Sequence, residues 1–167
     1  VMKCALPAAM KPQDDEALKE KTRKRRGSAV LAPASQLAQI NILNPYQAKA
    51  MEDIEQSFVD KDITLLHGVT SSGKTEIYIH LIDKYIKMGK QVLYLLPEIA
   101  LTTQIMDRLH RFFGDAMGVY HSKFSDVQRL DVYKRQVSSN PYQLILSARS
   151  GLFLPFNSLG LVIVDEE

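Results

Sequence analysis

The sequence predicts an α/β fold, a parallel sheet with helices on both faces, preceded by an irregular basic segment. Three observations predict it. Short apolar runs alternate with stretches of helical periodicity from about residue 41 onward. The runs are apolar at successive positions, as strands buried on both faces are. Gly, Pro and polar residues fall between them, where turns belong. Right-handed crossovers between successive parallel strands then carry the helices to the two faces.

Residues 1–40 show little periodicity, and the Ala-, Ser- and Pro-rich stretch from Gly27 to Gln39 reads as a linker, which places a domain boundary near residue 41. Asn44 is a good N-cap and Pro45 suits a first helical position; Met51, Ile54 and Phe58 then recur at helical spacing and predict a helix over about 45–59. Ile63–Leu66 reads as a buried strand. Residues 74–88 read as a helix with Ile77, Leu81, Ile82 and Tyr85 on one face and Gly89 as its stop. A strand over Gln91–Leu96 precedes a helix over Ile99–Phe113, whose inner stripe holds Leu101, Ile105, Leu109 and Phe112. Met117–Tyr120 is a short strand, Ser125 caps a helix through about Val137, and Gln143–Ser147 and Leu159–Val164 are strands. No internal repeat is visible.

At 167 residues, 46% hydrophobic and 24% charged, the chain suits one globular domain with some extra chain. No run approaches the roughly 18 consecutive apolar residues of a membrane span, and the N-terminus lacks signal-peptide order, so a cytoplasmic location without membrane contact is expected. Cys4 stands alone, which excludes an internal disulfide and a Cys cluster for zinc and leaves a small buried or idle thiol.

The net charge of +2 is unevenly spread. Residues 1–40 carry eight Lys/Arg against four acids, +4, whereas residues 41–167 carry thirteen against fifteen, −2. The run Lys21-Thr22-Arg23-Lys24-Arg25-Arg26 suits either phosphate contact with counterion release or a solvated linker, and both readings stay open.

Directly after the run Ile63–Leu66 comes Gly68-Val69-Thr70-Ser71-Ser72-Gly73-Lys74-Thr75, a full match to G-x-x-x-x-G-K-[ST], with a helix opening at its end. The glycines let the backbone curl so that successive N–H groups and the helix N-terminus face phosphates. Lys74 is expected on the β- and γ-phosphates, meeting little else in the empty loop, and the Thr75 hydroxyl on Mg²⁺. The last strand runs straight into Asp165-Glu166-Glu167. Delivered there, Asp165 is the candidate second Mg²⁺ contact and Glu166 the candidate general base that polarises the attacking water. A solvated acidic strand end is the plain alternative.

Five stretches carry a resemblance when taken in order: Gly68 to Glu76, Leu96-Pro97-Glu98-Ile99-Ala100-Leu101-Thr102, His121-Ser122, Ala148-Arg149-Ser150-Gly151-Leu152-Phe153 with Pro155-Phe156 behind it, and Val164 to Glu167. They resemble the successive motifs of the first motor lobe of the primosomal replication-restart DNA helicases of superfamily 2. Residues Ala5 to Pro12 are similar to the end of that family's N-terminal DNA-binding domain. The resemblance spans nearly all of 43–167 and a few residues at the start.

The resemblance implies a RecA-like, phosphate-loop NTPase lobe at 41–167 that stops at the Asp-Glu-Glu motif, with 1–40 holding the end of a DNA-binding domain and a basic linker. It implies an ATP-dependent DNA helicase or translocase acting in replication restart and primosome assembly, with ATP and Mg²⁺ as cofactors. The implied partners are single-stranded and forked DNA, other replication-restart proteins and the replicative helicase loader. Residue by residue, Gln47 would read the adenine edge; Pro97, Glu98 and Thr102 would hold a DNA phosphate, with Arg149 and Ser150 at a second strand end. For Arg149 an internal ion pair is an equal alternative, and His121 receives no role. Ser71 departs from the glycine common in relatives, and only about 30 residues separate Pro12 from Leu43 where the family has a winged-helix domain. The family's second lobe, arginine finger and zinc-binding cysteines lie outside these residues, so zinc is expected only there.

Competing readings are another superfamily 2 DNA translocase of restriction or repair, and a nucleotide- or DNA-binding module without turnover. Asp165-Glu166-Glu167 stands where RNA helicases carry Asp-Glu-Ala-Asp. A small-molecule kinase would need lid segments, and none is visible.

Overall fold

Strand pairing organises the chain. The computed structural model describes residues 37–69, 72–97, 103–121 and 124–165, so the basic run 21–26 and Cys4 lie outside the described residues. In chain order the elements are α1 (Pro45–Asp60), α2 (Lys74–Lys87), β1 (Gln91–Leu95), α3 (Thr103–Phe113), β2 (Met117–Tyr120), α4 (Asp126–Gln136), β3 (Leu144–Ser147) and β4 (Leu159–Val164). The four strands form one parallel sheet in the order β2-β3-β1-β4. In register, Leu93 stands between Ile145 and Val162, and Leu95 between Ser147 and Val164.

Alternate residues of β1, β2 and β3 serve two cores, because successive side chains point to opposite faces, while β4 reaches only the first. On one face Val92, Tyr94, Leu144, Leu146, Leu161 and Ile163 pack with Ile54 of α1, Ile77, Ile79, Leu81 and Ile82 of α2, and Leu109 and Phe113 of α3. On the other, Leu93, Leu95, Tyr120 and Ile145 pack with Val132 of α4 and with Leu154. The expected two-faced parallel sheet is thus present.

Local chemistry sets the helix ends. Asn44 and Ser125 each build a reciprocal capping box, with Gln47 and Gln128 three residues on. Gln91, 4% exposed, accepts the Asn157 and Ser158 N–H groups on Oε1 and donates from Nε2 to the Tyr142 carbonyl, so one side chain fixes the entries to β3 and β4.

One expected element is absent. Ile63–Leu66 forms no strand: Ile63 is 86% and Leu65 87% exposed, while Leu66 packs against the first core and the Thr64 hydroxyl donates to Ser57 Oγ. A strand exists by pairing, and among the described residues no strand lies beside this run. β4 is likewise unpaired on its outer edge and exposes Leu159, Val162 and Val164. The helix expected over 99–113 is described from Thr103 on, its first residues lying outside the described set.

Candidate functional site

Parallel strands deliver their C-terminal ends to one edge of the sheet, where ligands of open α/β folds bind. Pro97 lies two residues past β1, Arg149 two past β3 and Asp165 one past β4. The loop 68–73 leads into α2, which packs on the same sheet.

Gly73 caps α2 in the left-handed region, φ 86°, ψ 19°, and the helix start has no side-chain cap, which leaves its first N–H groups for a ligand. The Ser72 N–H donates to the Val69 carbonyl at 3.1 Å. A Cβ on Gly68 would come within 2.8 Å of Ser72 Oγ, so the loop curls tightly at that glycine. The Lys74 ammonium donates to the Gly68 carbonyl at 2.7 Å and the Val69 carbonyl at 3.3 Å. That corrects the expectation of an ammonium meeting little in the empty loop; a cation without phosphate takes the nearest carbonyl oxygens. Thr75 is half-buried in the first turn of α2, whereas Thr70 and Ser71 lie outside the described residues.

Gln47 sits against this loop. Its N–H donates to Asn44 Oδ1 and its Oε1 accepts the Asn44 N–H, both at 2.9 Å; its Nε2 donates to the Gly73 carbonyl at 3.3 Å. Both ends of the amide expected at an adenine edge are engaged within the protein.

Asp165 is fixed twice. Its N–H donates to the Leu95 carbonyl at 3.0 Å, continuing the β1–β4 ladder, and its Oδ2 accepts the Tyr94 hydroxyl at 2.8 Å. Tyr94 is fully buried and meets Tyr78 of α2 edge-on, ring centroids 5.7 Å apart at 73°. Nothing in the sequence singles out Tyr94, an aromatic inside an apolar strand. Glu166 lies outside the described residues.

Pro97 is half-buried, and the Leu96 N–H donates to the Ser147 carbonyl at 2.9 Å; Glu98 and Thr102 lie outside the described residues. Arg149 opens a single 3-10 turn, Arg149–Phe153, and is exposed. The Ser150 hydroxyl is buried without a hydrogen-bond partner among the described residues. Leu152 and Phe153 of the turn are exposed. Glu76 of α2 and Arg108 of α3 form an ion pair that ties the helix after the loop to the helix after Pro97. On the outer face of α1, hydrogen bonds to Glu52 and Asp53 hold the Lys49 ammonium above the ordinary lysine range, away from the loop.

Among the described residues no three His, Cys, Asp or Glu side chains converge as a metal cage. A hydroxyl such as that of Thr75 and a single carboxylate such as that of Asp165 are donors of the kind that fit Mg²⁺, which is usually held by one or two carboxylates plus substrate phosphates.

The fold is that of a RecA-like helicase lobe. The DEAD/DEAH box helicase family matches residues 44–167, and the chain belongs to that family. Named relatives agree with the resemblance carried by the motifs. The chain is 50% identical over 104 residues, 62% of its length, to the replication restart protein PriA of Rickettsia felis. It is 42% identical over 128 residues, 77% of its length, to that of Helicobacter pylori, and 41% identical over 128 residues, 75% of its length, to that of Bacillus subtilis. Those alignments take in 16%, 20% and 16% of the respective relatives, so the chain spans a fifth or less of their length. Helicase membership implies nucleotide binding. No helix among the described residues is long and apolar enough to cross a membrane.

Proposed function

We propose that this chain is the ATP-binding first lobe of a DNA helicase that restarts replication, with residues 41–167 as the lobe and 1–40 as the end of a DNA-binding domain and its basic linker. The observation that supports the reading is the link from the helix that Gly73 opens, through the Tyr78–Tyr94 ring contact, to the Asp165 carboxylate that Tyr94 holds, in a chain similar to replication restart proteins. The proposed whole protein works in the cytoplasm on single-stranded and forked DNA, with other restart proteins and the replicative helicase loader.

The roles follow from geometry and charge. The N–H groups of Gly68, Val69 and Gly73 to Thr75, with those of Thr70 and Ser71 and that of Ser72 once it leaves the Val69 carbonyl, surround the phosphates of ATP, and Lys74 exchanges the Gly68 and Val69 carbonyls for phosphate oxygens. That exchange is favourable because the phosphates carry full negative charge and the carbonyls only partial charge. Gln47 leaves Gly73 to read the adenine edge. Thr75 and Asp165 would hold Mg²⁺, which when bound neutralises charge building on the phosphates. Glu166, next to Asp165, orients and polarises the attacking water.

At the neighbouring strand ends, Pro97, Glu98 and Thr102 form one grip on the DNA backbone, and Arg149 with the unpartnered Ser150 hydroxyl forms a second. Such contacts fix position without reading sequence. The test is ATP hydrolysis with and without single-stranded DNA, measured on the 167 residues and on the full-length gene product. DNA-stimulated hydrolysis by the full-length protein is expected, together with nucleotide binding but slow turnover by the 167 residues. A full-length protein indifferent to DNA would overturn the reading.

A further inference from the structure

We infer that Tyr94 is a positioning residue for the metal carboxylate: by donating its buried hydroxyl to Oδ2 of Asp165 it presents the other carboxylate oxygen toward the phosphate loop. The inference rests on the proposed nucleotide site and deepens it.

Three features of the contact carry it. The hydroxyl of a fully buried tyrosine meets the carboxylate at 2.8 Å, and a buried donor aimed at a half-buried acid is a directional constraint. The ring cannot swing away, because β1 is hydrogen-bonded to strands on both sides and the Tyr78 ring packs against it in a T-shaped pair, centroids 5.7 Å apart. Tyr78 belongs to α2, the helix that opens at Lys74, so one aromatic pair joins the base of the phosphate-loop helix to the acid at the end of β4. With its N–H on Leu95 and Oδ2 on Tyr94, Asp165 retains Oδ1 for a cation. Outer partners of metal ligands orient them, and their loss commonly weakens metal affinity about ten- to a hundredfold.

The test is titration of the full 167-residue chain with a fluorescent ADP analogue, once with Mg²⁺ and once with EDTA. Tyr94→Phe should remove most of the gain in affinity that Mg²⁺ brings, about tenfold, while affinity in EDTA stays within about twofold. Asp165→Asn should lose the same gain, and adding Tyr94→Phe to it should change nothing further. Should Tyr94→Phe fail to fold, 4-fluorophenylalanine at position 94 fills the space of the hydroxyl without a donor proton and must show the same selective loss. An unchanged Mg²⁺ gain, or equal losses with and without Mg²⁺, overturns the positioning role and leaves Tyr94 a core residue. A parent chain whose binding is indifferent both to Mg²⁺ and to Asp165→Asn overturns the nucleotide-site reading itself, so the two failures are distinguishable.

Discussion

The side-chain amide of Gln47 donates to the carbonyl of Gly73 across 26 positions of sequence, so the first turn of α1 is tied to the last residue before α2. The same amide closes the capping box of α1 with Asn44. One side chain therefore serves a helix start and the glycine that opens α2 together, and on the proposed function nucleotide entry has to compete with it.

Replacing Gln47 by Ala should lower stability by about 1 kcal/mol, the usual cost of removing a cap interaction. It should also narrow the preference for adenine over guanine nucleotides by about tenfold, on the scale of one good bidentate contact. Chemical denaturation and paired titrations with ATP and GTP analogues measure the two effects. An unchanged nucleotide preference would remove the adenine role and leave Gln47 a capping residue.

Lys74→Ala should abolish measurable nucleotide binding while the fold survives. The ammonium's partners in the empty loop are two carbonyls, and removing those hydrogen bonds costs little because water replaces the donor at a half-buried site. Circular dichroism and a fluorescent-nucleotide titration suffice; affinity within twofold of the parent would contradict the assignment of the loop.

A methyl group on Gly73 would sit 2.3 Å from Gln47 Nε2, and the φ of 86° is a conformation that L side chains adopt at a cost of about 1–2 kcal/mol. Gly73→Ala should therefore destabilise by roughly that amount and push the Gln47 amide off the loop. In a double-mutant cycle, Gln47→Ala should then cost less in the Gly73→Ala background than alone. Full additivity would show that the two residues act independently.

Gly118 in β2 supplies a prediction about the other core. A Cβ there would meet three atoms of the Tyr142 ring at 2.6–2.9 Å, and the Arg135 guanidinium covers that ring 3.9 Å from its centroid. Gly118→Ala should cost about 1–3 kcal/mol, the range for overpacking. A midpoint of thermal unfolding equal to the parent's would show that the ring moves freely.

The basic run is tested through salt. Changing Arg23, Lys24, Arg25 and Arg26 together to Ala should flatten the fall of DNA affinity with salt concentration, because a phosphate that the protein no longer neutralises keeps its condensed counterion. An identical slope would return the run to a solvated linker.

The sheet was legible because its four strands carry apolar residues at nearly every position and sit between helices of clear periodicity, so 91–95, 117–120, 144–147 and 159–164 fell close to expectation. Ile63–Leu66 has the same composition and forms no strand, since pairing depends on a neighbour that local sequence does not specify. The helix opening at Lys74 behind Gly73 was legible from the spacing of the glycines. The Tyr94–Asp165 contact was not: 71 residues separate the two, and a tyrosine inside an apolar strand reads as packing. The bonds that Gln47 makes within the protein were not legible, because the amide's engagement with Gly73 depends on how α1 lies against the loop.

The open side of β4 has a practical consequence for anyone handling this polypeptide. A parallel edge that no strand among the described residues pairs, flanked by the bare side chains of Val162 and Val164, is a template on which another extended chain can add. Ile63 and Leu65 offer a second exposed apolar pair in the same molecule. Concentrated solutions should gain intermolecular strands and lose monomer first at these two places, well below the temperature at which the core melts. A charged residue substituted at Val162 would then extend the life of the sample without touching the phosphate loop.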